Sequence, residues 1–465
     1  LSIKILPTLL LLTLATGALP TFAAVSSSGS PSVQRGDFPS SARGSLVQAL
    51  AARATNELRP AAPLGVPTWL EQKVVASDGV AGDLLGFSVA IDGDTALVGA
   101  AQGAASGTDN GGHGAVYVYA RQGGVWTPVQ TLTADDGADN DQFGYAVALQ
   151  GDAAVVGAIY ATIGTNARQG AVYVFERSGA TWAQSKKLVA DDGAASDTFG
   201  WSVAIDGSEV AVGAPGVTVG GNSFQGAVYV FTADGSNWAQ SGAMTADDGA
   251  SPDGLGFSVA VHGDAVLAGA LNAMSAQGAA YLFTQAAGTW TQAQKITAAD
   301  GAAGDSFGYA LAFDGVNALV GSPFAPVGAN LFQGALYPFA FAGGMLSPLP
   351  KIVTDDGQSF DVIGISVSLS GNNAVGTAPF FNGSQGTAYL FSDTGAGWTQ
   401  QQKFVASDAV AGEGAAFGYC GAISGNTILI GQALAKIGDN TNQGAAYFYD
   451  LPQPDAIFAD GFDSP

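Results

Sequence analysis

The chain has 465 residues, 47% of them hydrophobic, enough to bury a large core. Its 38 acidic against 15 basic residues leave a net charge of −23, a surface that repels nucleic acid and anionic membranes. A single cysteine, Cys420, excludes a disulfide framework.

In chain order, residues 1–24 read as a signal peptide. Lys4 supplies the charge, Ile5 to Leu14 the apolar stretch, and Thr21-Phe22-Ala23 a small-residue cleavage site. That stretch is too short to span a bilayer, and no other segment is apolar enough, so the mature chain is expected to have no membrane span. Residues 25–66 are rich in Ser, Pro, Ala and Gly and read as a flexible linker; Leu46, Val47, Leu50, Ala54 and Leu58 have the spacing of one short helix.

From residue 67 to 450 one unit is written seven times, most clearly from Asp191 to Trp238. Its markers are three glycines. The first ends an FG-like pair (Gly86, Gly144, Gly200, Gly256, Gly308, Gly364, Gly418), and the second follows seven residues later (Gly93 to Gly425). The third comes six further on (Gly99, Gly157, Gly213, Gly269, Gly321, Gly431), with Thr377 in the sixth copy. Alternating apolar runs between the markers, joined by pairs such as Asp206-Gly207, predict a β-hairpin with a type I′ turn. A third run, such as Gly226 to Phe231, and a fourth opened by a tryptophan complete four strands per unit. A repeat of this length and content predicts an all-β fold: a seven-bladed β-propeller of four-stranded antiparallel blades. Trp69 to Val75 is a fourth strand with no blade before it, and Gly444 to Tyr449 a third strand with none after it. The N-terminal strand is therefore expected to complete the last blade from outside.

These units resemble the FG-GAP repeats of integrin α-subunit propellers and of many bacterial surface or secreted proteins. Phe199-Gly200 and Gly213-Ala214-Pro215 carry the motif intact, whereas Leu85-Gly86, Ile363-Gly364 and Gly321-Ser322-Pro323 are edited forms. The resemblance implies a propeller used for adhesion or ligand binding. With the leader, it implies secretion or display on the surface of a bacterium. It does not carry over the family's calcium loop. The connection between the first two strands is here a two-residue turn, too short for the six or more oxygens calcium takes.

The remaining candidates are few. The loops entering the blades follow the pattern D-D-G-x-x-x-D, intact in four and edited in three, and these loops hold 19 of the 38 acidic residues. Closure of Asx-turns explains a repeated aspartate. Asp136, Asp139 and Asp141 form the set that would take calcium, the one cofactor considered. Trp201, Tyr145, Tyr309 and Tyr419 follow the FG pair and begin the innermost strands, where they pack or face a ligand. The other six tryptophans share one repeat position, which signals blade-to-blade packing. His113 stands where other copies have glutamine, His262 lies in a turn, and Cys420 replaces a serine, so none suggests a catalytic pair.

From the third marker to the glycine opening the next strand, the copies measure 15, 13, 13, 9, 13, 9 and 13 residues. Antiparallel order puts these variable loops on the same face as the acidic ones, and variable loops on a rigid scaffold are where recognition sits. The reading is a non-enzymatic binding or adhesion module for an extracellular protein or glycan. The alternatives are an extracellular lyase or hydrolase, or a structural surface protein without a discrete ligand. The tail, residues 451–465, ends in Ile457-Phe458-Ala459-Asp460-Gly461-Phe462 and reads as a terminus outside the propeller.

Overall fold

The structure is a computed structural model that describes residues 69–103, 112–235, 237–410 and 414–451; the segments expected to form a signal peptide, a linker helix and a terminal tail lie outside the described residues. The described residues form seven four-stranded antiparallel sheets; in six the strands run in sequence order from the axis outward, and in the seventh the chain's first strand is the outermost. Blade 3 is typical, with strands Ser202–Asp206, Glu209–Ala214, Ala227–Asp234 and Asn237–Met244. The first strands of successive blades lie against one another around the axis.

Closure is as the sequence predicts. Cys420–Ser424, Thr427–Gln432 and Ala445–Asp450 supply three strands of blade 7, and Leu70–Val74 joins them as the fourth, with Leu70 opposite Asp450. Side chains fasten the join. Lys73 donates to Asp408, and Ser407 and Tyr449 both donate to the Glu71 carboxylate.

The core lies between blades. Where blades 2 and 3 meet, Val155, Val172, Val174 and Leu188 pack against Val210, Val212, Tyr229 and Phe231. Of the tryptophans that open fourth strands, Trp126, Trp182 and Trp238 are buried there and Trp69, Trp290 and Trp398 half-buried; Trp126 stacks on Phe448 with centroids 4.3 Å apart and planes 7° from parallel. Glutamines stitch the outer strands together. The Gln72 amide donates to the Trp126 carbonyl and accepts from its N–H, and Gln130 treats Trp182 the same way. Gln294 makes this pair of bonds with Leu346, so the backbone contact survives where the tryptophan is lost.

Two sequence expectations are corrected. In the hairpin turns the central residues are glycine and its successor, as in Gly93-Asp94 between the paired Asp92 and Thr95. The positive φ falls on the glycine alone, +56° at Gly93, which is the pattern of a type II′ turn and not type I′. The residue before that glycine also does more than shape the turn. Asp92 accepts from Gly151 N–H of the next blade, Gln150 from Gly207, Asp206 from Gly263, Ser370 from Gly425 and Ser424 from Gly93. The turn face is thus tied from blade to blade.

Shortening the chain tests the closure. Removal of residues 1–66 is expected to leave the melting temperature unchanged. Removal through residue 76 takes away the closing strand and is expected to lower it by at least about 5 °C. Equal melting of the two truncations would contradict the closure.

Candidate binding face

The acidic loops and the second-to-third connections emerge on one face, and their side chains are largely committed to the fold. In the loop entering blade 2, Asp136 accepts from the Tyr173 hydroxyl at 2.8 Å and from Lys187 Nζ at 2.7 Å. The tyrosine and lysine are a cross-strand pair. The same trio recurs as Asp248–Tyr281–Lys295, Asp300–Tyr337–Lys351, Asp356–Tyr389–Lys403 and Asp408–Tyr447–Lys73. Blades 1 and 3 keep the Asp–Tyr bond, while Thr131 and Ala243 face those tyrosines in place of lysine.

The last aspartate of each loop has another task. Asp141 Oδ2 accepts from Ala138 N–H, and Asp83, Asp197, Asp253, Asp305 and Asp361 close the same three-residue turn. All six are buried. Burial pushes the Asp141 carboxyl above the usual range, against the Ala138 hydrogen bond. Asp136 is shifted the other way: burial opposes the shift, but the bonds from Lys187 and Tyr173 outweigh it and hold the carboxyl low.

The three carboxylates considered for calcium therefore have different partners. Asp136 faces Tyr173 and Lys187, Asp139 pairs with His113 at 2.5 Å, and Asp141 points into its own turn. Among the described residues no group of three or more His, Cys, Asp or Glu side chains is placed to hold a metal ion.

The aromatic residues after the FG pair form a packed arc. Tyr419, Phe87, Tyr145, Trp201, Phe257 and Tyr309 follow one another at centroid separations of 4.9–5.7 Å, and Ile365 stands at the seventh position. Trp201 and Tyr145 are buried, 3% and 7% exposed, so they offer little surface to a ligand; Tyr309 and Tyr419 are half-buried.

One element escaped the sequence reading. Asn166, Asn222, Asn330, Asn382 and Asn440 each donate to the glutamine three residues on, at 2.8–3.0 Å. Asn166, Asn330 and Asn440 also reach the carbonyls of Gly193, Gly357 and Gly79, which fastens each variable loop to an acidic loop. The N-x-x-Q spacing was present in the sequence as the signal. Four of the variable loops share one tight hairpin, closed by paired bonds between Ile163 and Asn166, Val219 and Asn222, Val327 and Asn330, and Ile437 and Asn440. They vary less in shape than their sequences suggest.

The FG-GAP repeat family matches residues 69–119, 126–175, 182–231, 238–283, 290–339 and 398–449, well over half of the chain. The chain belongs to the FG-GAP repeat family. Each FG-GAP match opens on the fourth strand of one blade and runs through three strands of the next, so the sequence unit straddles two blades. The stretch without a match holds Leu346, Ile363 and Thr377, the three edited markers of the sixth copy. No curated protein matches the chain. Among solved structures, a chain of "Crystal Structure of Mitotic Checkpoint Complex" aligns with a TM-score of 0.51 at 12% identity, over 86% of this chain and 99% of that one. At that identity the likeness shows the fold alone.

Two measurements check these roles. Asp136, with its carboxyl held low, contributes stability above a pH of about 4 that is lost as pH falls through its folded value. Asp136→Asn should therefore destabilise at pH 7, by no more than about 1 kcal/mol for so exposed a pair, and the difference from wild type should shrink as pH falls through the folded value. Asp141, with its carboxyl raised, contributes stability at low pH that is lost as pH rises through its folded value. Asp141→Asn should thus compare more favourably with wild type at pH 7 than at pH 3, and parallel pH profiles for the two variants would contradict the assignment. Millimolar calcium should leave the melting temperature unchanged; a rise abolished by Asp136→Ala with Asp141→Ala would place an ion there.

Proposed function

We propose that this FG-GAP propeller is a secreted or surface-displayed, non-enzymatic binding module that engages an extracellular protein through its loop face. The carrying observation is the asymmetry of the disc. One face is closed by two-residue turns hydrogen-bonded to one another, whereas the other carries connections of 9 to 15 residues with exposed hairpin tips. Selective contact needs material that differs between blades, and that material is on the loop face.

The partner meets an apolar sector there. Three residues after the third marker stand Gln102, Tyr160, Gly216 and Asn272 in blades 1 to 4, but Phe324, Phe380 and Leu434 in blades 5 to 7; Phe380 and Leu434 are buried beneath the sector and Phe324 is half-buried at its surface. Phe332 meets Phe324 edge to face and Phe360 at a tilt, extending this sector, and Leu331 beside them is 57% exposed. Exposed apolar area beside half-buried aromatic rings suits an apolar anchor residue of a protein partner.

The test uses a partner recovered from the protein's natural surroundings and measured by surface plasmon resonance. Leu331→Asp, or replacement of residues 159–168 by the short connection Leu271 to Ala276, should weaken binding at least about tenfold. Asp314→Asn should not, because that carboxylate bonds only within its own turn, to the N–H groups of Val316 and Asn317. Binding lost through the turn face and retained after the loop exchange would reverse the orientation of the disc.

A further inference from the structure

A second site is indicated on the opposite face by comparing blades. In blade 2, Arg177 at the end of the third strand donates to Asp152 and to Thr95 of blade 1, and its guanidinium lies 5.3 Å from the centre of the Trp182 ring. Blade 1 repeats the arrangement against blade 7. There Arg121 donates to Asp94, Thr427 and Asp450 and stacks over Trp126 at 5.3 Å. In both, the arginine is the cross-strand partner of the tryptophan.

The corner between blades 3 and 4 has the same frame without the cation. Gln285 stands at the arginine position, opposite Trp290, and its N–H donates to the Asp264 carbonyl at 2.8 Å, as Arg177 N–H does to Asp152. Asp264 takes the place of Asp152, and it is exposed to solvent. Glu209 takes the place of Thr95, so the corner gains a carboxylate where it has lost a base.

One atom of this corner lacks the partner its surroundings demand. Glu209 Oε2 is buried and accepts no hydrogen bond among the described residues. An unpaired carboxylate oxygen out of water is costly, which makes the corner attractive to a cation. Burial, with Asp264 and Asp206 nearby, pushes the Glu209 carboxyl up, as expected where no positive charge faces it. Asp206 itself is engaged, accepting from Gln150 and from Gly263 N–H.

We propose that this corner binds a guanidinium group supplied from outside the chain, the arginine side chain of a partner, in the position that Arg121 and Arg177 fill in blades 1 and 2. A planar fork of donors can meet Glu209 and Asp264 while stacking on Trp290, which a compact ammonium does less well. The site lies on the turn face and does not depend on the loop-face reading.

Thermal melting with L-arginine amide at constant ionic strength tests it. Wild type should show a saturable rise of about 1–3 °C at ten times the half-saturating concentration, and lysine amide a smaller one. Gln285→Arg should melt higher than wild type without ligand and lose the response, because the site is then filled from within. Glu209→Gln should also lose the response, and exchange of residues 159–168 should leave it intact. The proposal is overturned if wild type gives no saturable rise, if Gln285→Arg retains it, or if calcium reproduces it and arginine amide does not.

Discussion

The disc depends on how closely the backbone of one blade approaches that of the next. A Cβ built on Gly213 would lie 1.9 Å from the carbonyl oxygen of Gly256, and one on Gly157 would lie 2.1 Å from that of Gly200. In six blades the third marker is thus a glycine that faces the FG glycine of its neighbour with no room for a side chain. That contact sets the blade spacing, and other interactions follow from it. Ser88, Ser202 and Ser258 reach across to the carbonyls of Gly144, Gly256 and Gly308. Cys420 does so to Gly86 through its sulfhydryl, and burial there pushes the thiol far above its ordinary range, which leaves it inert as a nucleophile. Where Thr377 replaces the glycine, the first strand of blade 6 shrinks to Val367–Ser370 and Ser366 bonds instead with the Gly421 carbonyl.

The acidity of the chain has a structural component that net charge conceals. Second aspartates of the entry loops hold tyrosine and lysine from the blade they enter and the strand behind it, and the last aspartates are folded into turns. A carboxylate that accepts two protein donors has little left for an ion. The face therefore owes its character less to charge than to the hairpin tips and to the apolar sector in blades 5 to 7.

Much of the fold was legible because the period is strict. Fixed glycine offsets located the strands, and the unmatched first and last runs located the closure. The site was less legible, for reasons of distance. Nothing near Asp136 announces that its partners are Tyr173 and Lys187, which become its neighbours only once two strands have folded back. Asn166 and Gln169 are close in sequence, but their shared purpose lies in the Gly193 carbonyl of the next loop. The turn type was misjudged because an Asp-Gly pair was placed at the centre of the turn, whereas the aspartate is the last residue of the strand. The corner at Glu209 emerges only when equivalent positions of different blades are compared in space.

The closing strand also decides which way the disc faces. Leu70 pairs with Asp450 at the end of the sheet that adjoins the two-residue turns. The chain therefore enters and leaves the propeller side by side on the turn face. Any stalk or anchor built from the flanking segments would hold the disc from that side, with the hairpin tips of blades 2, 3, 5 and 7 directed outward. Pulled apart by those segments, the paired strands would part from that end one hydrogen bond at a time, so a load borne by either terminus would open blade 7 before any other.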